Sequence, residues 1–134
     1  MKWVIVYFTA IVLTTSCHGN LIKPTYNKGG YTISSSKNKS SQNSAIVYGY
    51  VRDHISKDPL KASMVKMGCT IVNVDETGFY KIKAKPIEST FLTGIWIGYR
   101  TIETEYFKLE QGDSLNINFF LVQDDRPLIN CEGN

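Results

Sequence analysis

Few side chains in this sequence can make or break bonds, and their spacing limits what they can do. The histidines are His18 and His54, and the cysteines are Cys17, Cys69 and Cys131. A metal centre needs three or four ligands converging on one point, and neither histidine has such a spacing around it. His54 follows Asp53 in a stretch that joins two apolar runs, so it reads as a solvated loop histidine. Serines cluster at 34–36 and 40–41. That segment is too polar to hold a nucleophile in fixed geometry beside a base. Asp75, Asp113, Asp124 and Asp125 are scattered along the chain. Calcium loops gather their carboxylates and carbonyls within one short segment, so these aspartates read as turn-formers and edge charges. No glycine-rich phosphate loop is present. The expectation is no catalytic residue, no metal site and no cofactor.

Cysteine chemistry is the exception. Cys69 and Cys131 can pair in an oxidising compartment. Such a bridge would staple the segment after Leu128-Ile129 to a strand near Cys69, contributing about 2–4 kcal/mol in the chain-entropy picture. The other reading is two thiols, with Cys69 buried as a small hydrophobe. Cys17 is different. Met1-Lys2 precedes an apolar run from Trp3 to Leu13, then Thr14-Thr15-Ser16-Cys17. A short basic start, an apolar stretch and small residues make a signal peptide over 1–16. The apolar run falls short of the roughly 20 residues of a membrane-spanning helix. Leu13 to Cys17 resembles a lipobox of the looser kind found in Bacteroidetes-type bacterial lipoproteins, with Thr14 where leucine is usual. The resemblance implies that Cys17 is the acylated residue. Each buried CH₂ of an acyl chain contributes about 0.8 kcal/mol, so several chains hold a small domain on a membrane.

The chain has 134 residues, 43% hydrophobic and 20% charged, which suits one globular domain. Its formal charge of +3 is spread among interspersed acidic residues. A nucleic-acid groove would need a concentrated basic face, so no nucleic-acid partner is expected. Residues 17–44 are rich in Gly, Ser, Asn and Lys and read as a lipidated cysteine followed by a flexible tether. Tyr31-Thr32-Ile33 is the one stretch there able to add a short edge strand.

From Ala45 the pattern turns periodic, and residues 45–134 form the expected domain. Ile46 to Val51 is β-branched and aromatic. Ala62 to Val65 and Cys69 to Val74 read as further strands. Asp75-Glu76-Thr77-Gly78 reads as a hairpin loop. Phe79 to Ala84 alternates bulky apolar residues with lysine. Phe91 to Ile97 is nearly continuous apolar, as in a central strand covered on both faces. Thr101 to Leu109 alternates, and Leu115, Ile117, Phe119 and Leu121 alternate with Asn116, Asn118, Phe120 and Val122. No stretch sustains a helical period. The fold class is all-β, an antiparallel sandwich of approximately seven strands, transthyretin-like or Ig-like.

The order of the landmarks adds a resemblance. Gly49-Tyr50-Val51-Arg52-Asp53 precedes Pro59-Leu60 and Ala62. Val74-Asp75-Glu76-Thr77-Gly78-Phe79-Tyr80, Ile97-Gly98-Tyr99 and Gln111-Gly112-Asp113 follow. Over about residues 45–125 this resembles the carboxypeptidase-regulatory-like domain, a transthyretin-like (prealbumin-like) sandwich, here as a stand-alone lipoprotein. One residue fewer lies between Leu60 and Ala62 than in the pattern, and Val74 replaces a threonine. Gly49 and Gly98 are expected at bulges or close backbone approaches, Asp75 and Gly78 in a hairpin, and Tyr99 at the sandwich edge bonded to backbone.

The resemblance implies an accessory or adhesive module, not an enzyme. The expected role is a membrane-tethered binding or scaffolding module of the bacterial envelope. Its partner would be another envelope protein or a glycan, and its site the outer membrane facing the periplasm. Aromatic residues opposite Val47, Val51 and Ile82, such as Tyr48 and Tyr50, could form a patch for sugar or peptide, or could serve packing. The alternatives are a small hydrolase, which would need His54, Arg52 and Arg100 in one pocket, and a structural envelope protein without a discrete ligand.

Overall fold

The computed structural model describes residues 29–37 and 43–126. These form strands and turns without a helix. The strands are β1 (Gly30–Lys37), β2 (Ala45–Asp53), β3 (Met64–Met67), β4 (Thr70–Asn73), β5 (Phe79–Ala84), β6 (Ile87–Thr90), β7 (Leu92–Ile95), β8 (Ile102–Glu103), β9 (Phe107–Leu109) and β10 (Asp113–Leu121). A front sheet has the order β1-β10-β2-β5 and a back sheet the order β4-β3-β7-β8, while β6 and β9 form a small separate ladder. The all-β sandwich is as the sequence predicts.

The two sheets meet because their facing positions are apolar. β2 turns Ala45, Val47 and Val51 inward, and β10 turns Leu115, Ile117, Phe119 and Leu121 inward, all buried. Val65, Met67 and Leu92 answer from the back sheet. Phe119 bridges the layers. Its ring lies 6.5 Å from that of Tyr31 and 6.3 Å from that of Tyr80. Across the core it covers Gly94, where a Cβ would come within 2.9 Å of the ring. Glycine there is a packing requirement, since any side chain would force the sheets apart.

The most constrained point is where β10 passes β2. A Cβ on Gly49 would stand 1.8 Å from the carbonyl oxygen of Ile117. The buried Tyr80 hydroxyl donates to that oxygen at 2.8 Å. Burial pushes the phenol far above its ordinary range, so it remains a donor. The ladder between β2 and β10 skips here, and the Tyr50 N–H instead donates to Asn118 Oδ1 at 3.0 Å. The expected close approach at Gly49 is thus present. Gly98 differs. It adopts φ +79 with open space around its would-be Cβ, so it serves a turn.

Several expectations need correction. β2 and β10 run parallel, so the sandwich is not wholly antiparallel. Residues 30–37, placed in the tether, form β1, which pairs with β10 from Gly30↔Phe120 to Lys37↔Asp113. Backbone pairing does not require apolar side chains, and buried Tyr31 anchors the strand by accepting the Glu105 N–H at 2.9 Å. The Asp75–Gly78 turn joins β4 to β5, which lie in different sheets, so it is a crossover and not a hairpin. The stretch 101–109 splits into β8 and β9 because Thr104 turns in. Its hydroxyl accepts the Leu92 N–H at 2.9 Å, and its own N–H donates to Leu92. The apolar run 91–97 gives a strand interior to its sheet, but Ile97 lies beyond it at 87% exposure.

Tyr80→Phe should destabilise the fold by about 1–3 kcal/mol, because it leaves the buried Ile117 carbonyl without its donor. Gly49→Ala should cost more than about 3 kcal/mol, because backbone must move. Urea denaturation of both variants checks the order, and Gly49→Ala matching the wild type would refute the close approach.

Candidate functional site

Asp53, Pro59, Gly78 and Tyr99, singled out by the sequence, gather at one end of β2, and their contacts there are those of a structural lock. Asp53 Oδ1 accepts the N–H groups of Ile55 and Ser56, each at 2.8 Å. Its Oδ2 accepts the Tyr99 hydroxyl at 3.0 Å. Tyr99 therefore bonds a carboxylate and not backbone, which corrects the expectation for it. Partial burial pushes the Asp53 carboxyl up, but the backbone N–H groups of Ser56 and Ile55 and the Tyr99 hydroxyl outweigh it and hold the group below its usual range. Pro59 and Gly78 pack against the same strand. The Val51 N–H donates to the Gly78 carbonyl at 2.8 Å, and a Cβ on Gly78 would stand 2.9 Å from Pro59 Cβ. Asp75 shapes the adjoining turn, accepting from the Thr77 hydroxyl and the Thr77 and Phe79 N–H groups. The Thr77 hydroxyl leads in holding its carboxyl below the usual range.

His54 is buried, not solvated as expected, and its N–H donates to the Leu121 carbonyl at 2.7 Å. Arg52 lies over the Tyr50 ring at 5.0 Å. Arg100 reaches Asp125 at 2.6 Å and Asp124 at 3.7 Å. The two arginines are committed to different partners. Asp124 is held down to about 2, first by its hydrogen bond with Arg126. Among the described residues, no three His, Cys, Asp or Glu side chains gather as metal ligands. Cys69 is exposed in the β3–β4 turn, not buried. Cys17, Cys131 and the signal segment lie outside the described residues.

The outer face of the front sheet is where recognition chemistry gathers. Because side chains alternate, β2 turns Tyr48, Tyr50 and Arg52 outward, opposite Val47 and Val51. The register aligns Ser34, Asn116, Tyr48 and Lys81 in one row across β1, β10, β2 and β5. The next row holds Thr32, Asn118, Tyr50 and Phe79. The Phe79 ring lies 5.4 Å from that of Tyr50 and 6.5 Å from that of Tyr48. Asn118 Nδ2 donates to Asn116 Oδ1 at 2.8 Å and to Thr32 Oγ1 at 3.3 Å, tying the amides into a polar strip beside the rings. At one end Phe120 lies next to Arg52, under the Lys57 ammonium at 5.0 Å. At the other end a shallow groove of about 370 Å³ is lined by Asn43, Ser44, Lys83, Ala84 and Lys85. A separate groove of about 240 Å³ lies on the back sheet, lined by Lys66, Gly68, Phe91, Thr93, Ile95 and Glu103.

Tyr48 and Tyr50 were recognisable in the sequence as outward aromatics. Lys81, Lys83, Asn116 and Asn118 were missed as their neighbours. The alternation in β5 and β10 carries that signal, but only the strand order places the four strands side by side.

The depressed carboxyls set the acid response. A carboxyl whose folded pKa is lowered adds stability above its unfolded value, near 3.9, and loses it as pH falls toward the folded value. Asp53, Asp75 and Asp124 all shift this way. The urea midpoint should be flat from neutral pH to about 5 and fall between about pH 4 and 2. Asp53→Asn should lose about 1–2 kcal/mol at neutral pH and show a smaller acid drop. Denaturation at several pH values checks both.

No family model matches the chain, and no curated protein matches it.

Proposed function

We propose that this chain is a non-catalytic binding or scaffolding module of the bacterial envelope, carried on the outer membrane through an acylated Cys17 and facing the periplasm. One observation carries the binding role. The outer face of the front sheet presents outward aromatic rings, an amide strip and lysines on rigid strands. The rings supply contact area at low entropic cost, since an aromatic side chain has only two torsions to order on binding, and the lysines beside them supply charge. The resemblance of residues 45–125 to a carboxypeptidase-regulatory-like domain supports the same reading, because such domains act as accessories to other activities.

Placement at the membrane rests on the lipobox resemblance at 13–17. The intact mass of protein from the membrane fraction should equal residues 17–134 plus acyl groups. Cys17→Ser should move the chain to the soluble fraction. An unmodified mass with no membrane association would remove the anchor.

The binding role has a test that needs no knowledge of the partner. Lysine acetylation in intact envelopes should be several-fold slower at Lys81 and Lys83 than in the purified protein, while Lys66 on the back sheet reacts alike in both. Equal rates at Lys81 and Lys83 would leave the face uncovered and favour an envelope role without a discrete ligand.

A further inference from the structure

The charge on the front face is segregated in a way the whole chain is not. The outward positions of its strands are Thr32, Ser34 and Ser36 on β1, Asn116, Asn118 and Phe120 on β10, Ile46, Tyr48, Tyr50 and Arg52 on β2, and Phe79, Lys81 and Lys83 on β5. None is a carboxylate, although the chain holds 12 acidic residues against 15 basic ones. The ion pairs among the described residues use Lys37, Lys61, Arg100, Lys108 and Arg126, and leave Lys81 and Lys83 aside. Lys57 and Lys85 extend the positive strip to both ends.

Shape and chemistry narrow the ligand. From Arg52 to Ser44 the strip follows β2 for about 25 Å at the usual rise per residue, room for about five sugar rings in line. Pyranose rings stack their C–H faces on aromatic side chains, and Tyr48, Tyr50 and Phe79 supply these. Sugar hydroxyls pair with amides and hydroxyls, and the Asn116 amide nitrogen and the Thr32 hydroxyl, both held in place by Asn118, supply those. Arginine and lysine flank the rings, where acidic substituents would sit. We propose that the outer face of the front sheet binds an anionic polysaccharide, one bearing carboxylates along its length. The sugar rings lie over the tyrosines, and the acidic groups meet Arg52, Lys81 and Lys83. This rests on the binding-module reading and gives it a ligand class.

The test uses the purified full chain in nonionic detergent, with polygalacturonate immobilised on a biosensor and its carboxyl-reduced neutral counterpart beside it. The acidic polymer should bind at least about tenfold tighter, with the preference shrinking as salt rises. The double variant Lys81→Gln/Lys83→Gln should remove most of that preference. Tyr48→Ala should weaken both polymers several-fold. Lys61→Gln/Lys66→Gln removes the same charge elsewhere and should bind like the wild type. A circular-dichroism melt of each variant confirms that it folds.

Equal loss from both lysine pairs would overturn the proposal, since net charge alone would then explain binding. Equal affinity for the neutral polymer would overturn the anionic class. Tighter binding to vesicles rich in anionic phospholipid, or to an oligothymidylate, would replace the polysaccharide with a membrane or a nucleic acid. If neither polymer binds while Lys81 and Lys83 stay protected in envelopes, this inference fails and the binding-module reading survives.

Discussion

The structure depends on a single carbonyl, that of Ile117. It projects toward β2 at Gly49, where no Cβ fits, and takes the Tyr80 hydroxyl from β5 beyond. Three strands of the front sheet are thereby fixed by one oxygen. The local break in the ladder would leave the Tyr50 N–H without a partner, a cost of about 1–3 kcal/mol for a buried donor. Asn118 removes that cost by accepting it. A glycine, a tyrosine and an asparagine, each unremarkable in its own strand, form one interdependent unit.

From this point outward the sandwich follows from period two. Once β2 and β10 lie side by side, every inward residue on them is committed to the core. Phe119 then sets the spacing to the back sheet by resting on Gly94. The end of the sandwich is closed by Asp53, whose carboxylate ties the β2 loop to Tyr99 near the close of β10. That lock engages both oxygens of the Asp53 carboxylate. Its charge is stabilised by the three hydrogen bonds it accepts.

Much of the front sheet was legible in the sequence because β2, β5 and β10 alternate cleanly, and alternation assigns faces directly. The chain direction of β10 against β2 was not, because side-chain parity is the same for parallel and antiparallel pairs. β1 was hidden for another reason. Its serines occupy positions where only the backbone is needed, so its composition resembles a tether while its N–H and C=O groups complete a ladder. The crossover at Asp75–Gly78 carries the local chemistry of a hairpin, and only the tertiary placement of β4 and β5 tells them apart. The candidate face shares this limit. Outward tyrosines were visible from β2 alone, but a strip needs the order β1-β10-β2-β5, and that order is set by contacts distant in sequence.

The same frame separates what the fold requires from what it leaves free. Asparagine is disfavoured in strands, yet Asn118 is accounted for by the Tyr50 N–H, and Asn116 by its bond to Asn118. Neither needs a ligand to explain it. Tyr48, Lys81 and Lys83 are different. No side-chain hydrogen bond or ion pair among the described residues engages the two lysines, and a solvated strand position would accept many polar residues equally well. What the fold leaves unexplained is the sign of the charge and its nearness to the rings. A face chosen only for solubility would mix both signs, as the back sheet does where Lys66 and Glu103 line one groove. The front face keeps one sign beside its aromatics, and packing within the sandwich does not require that asymmetry.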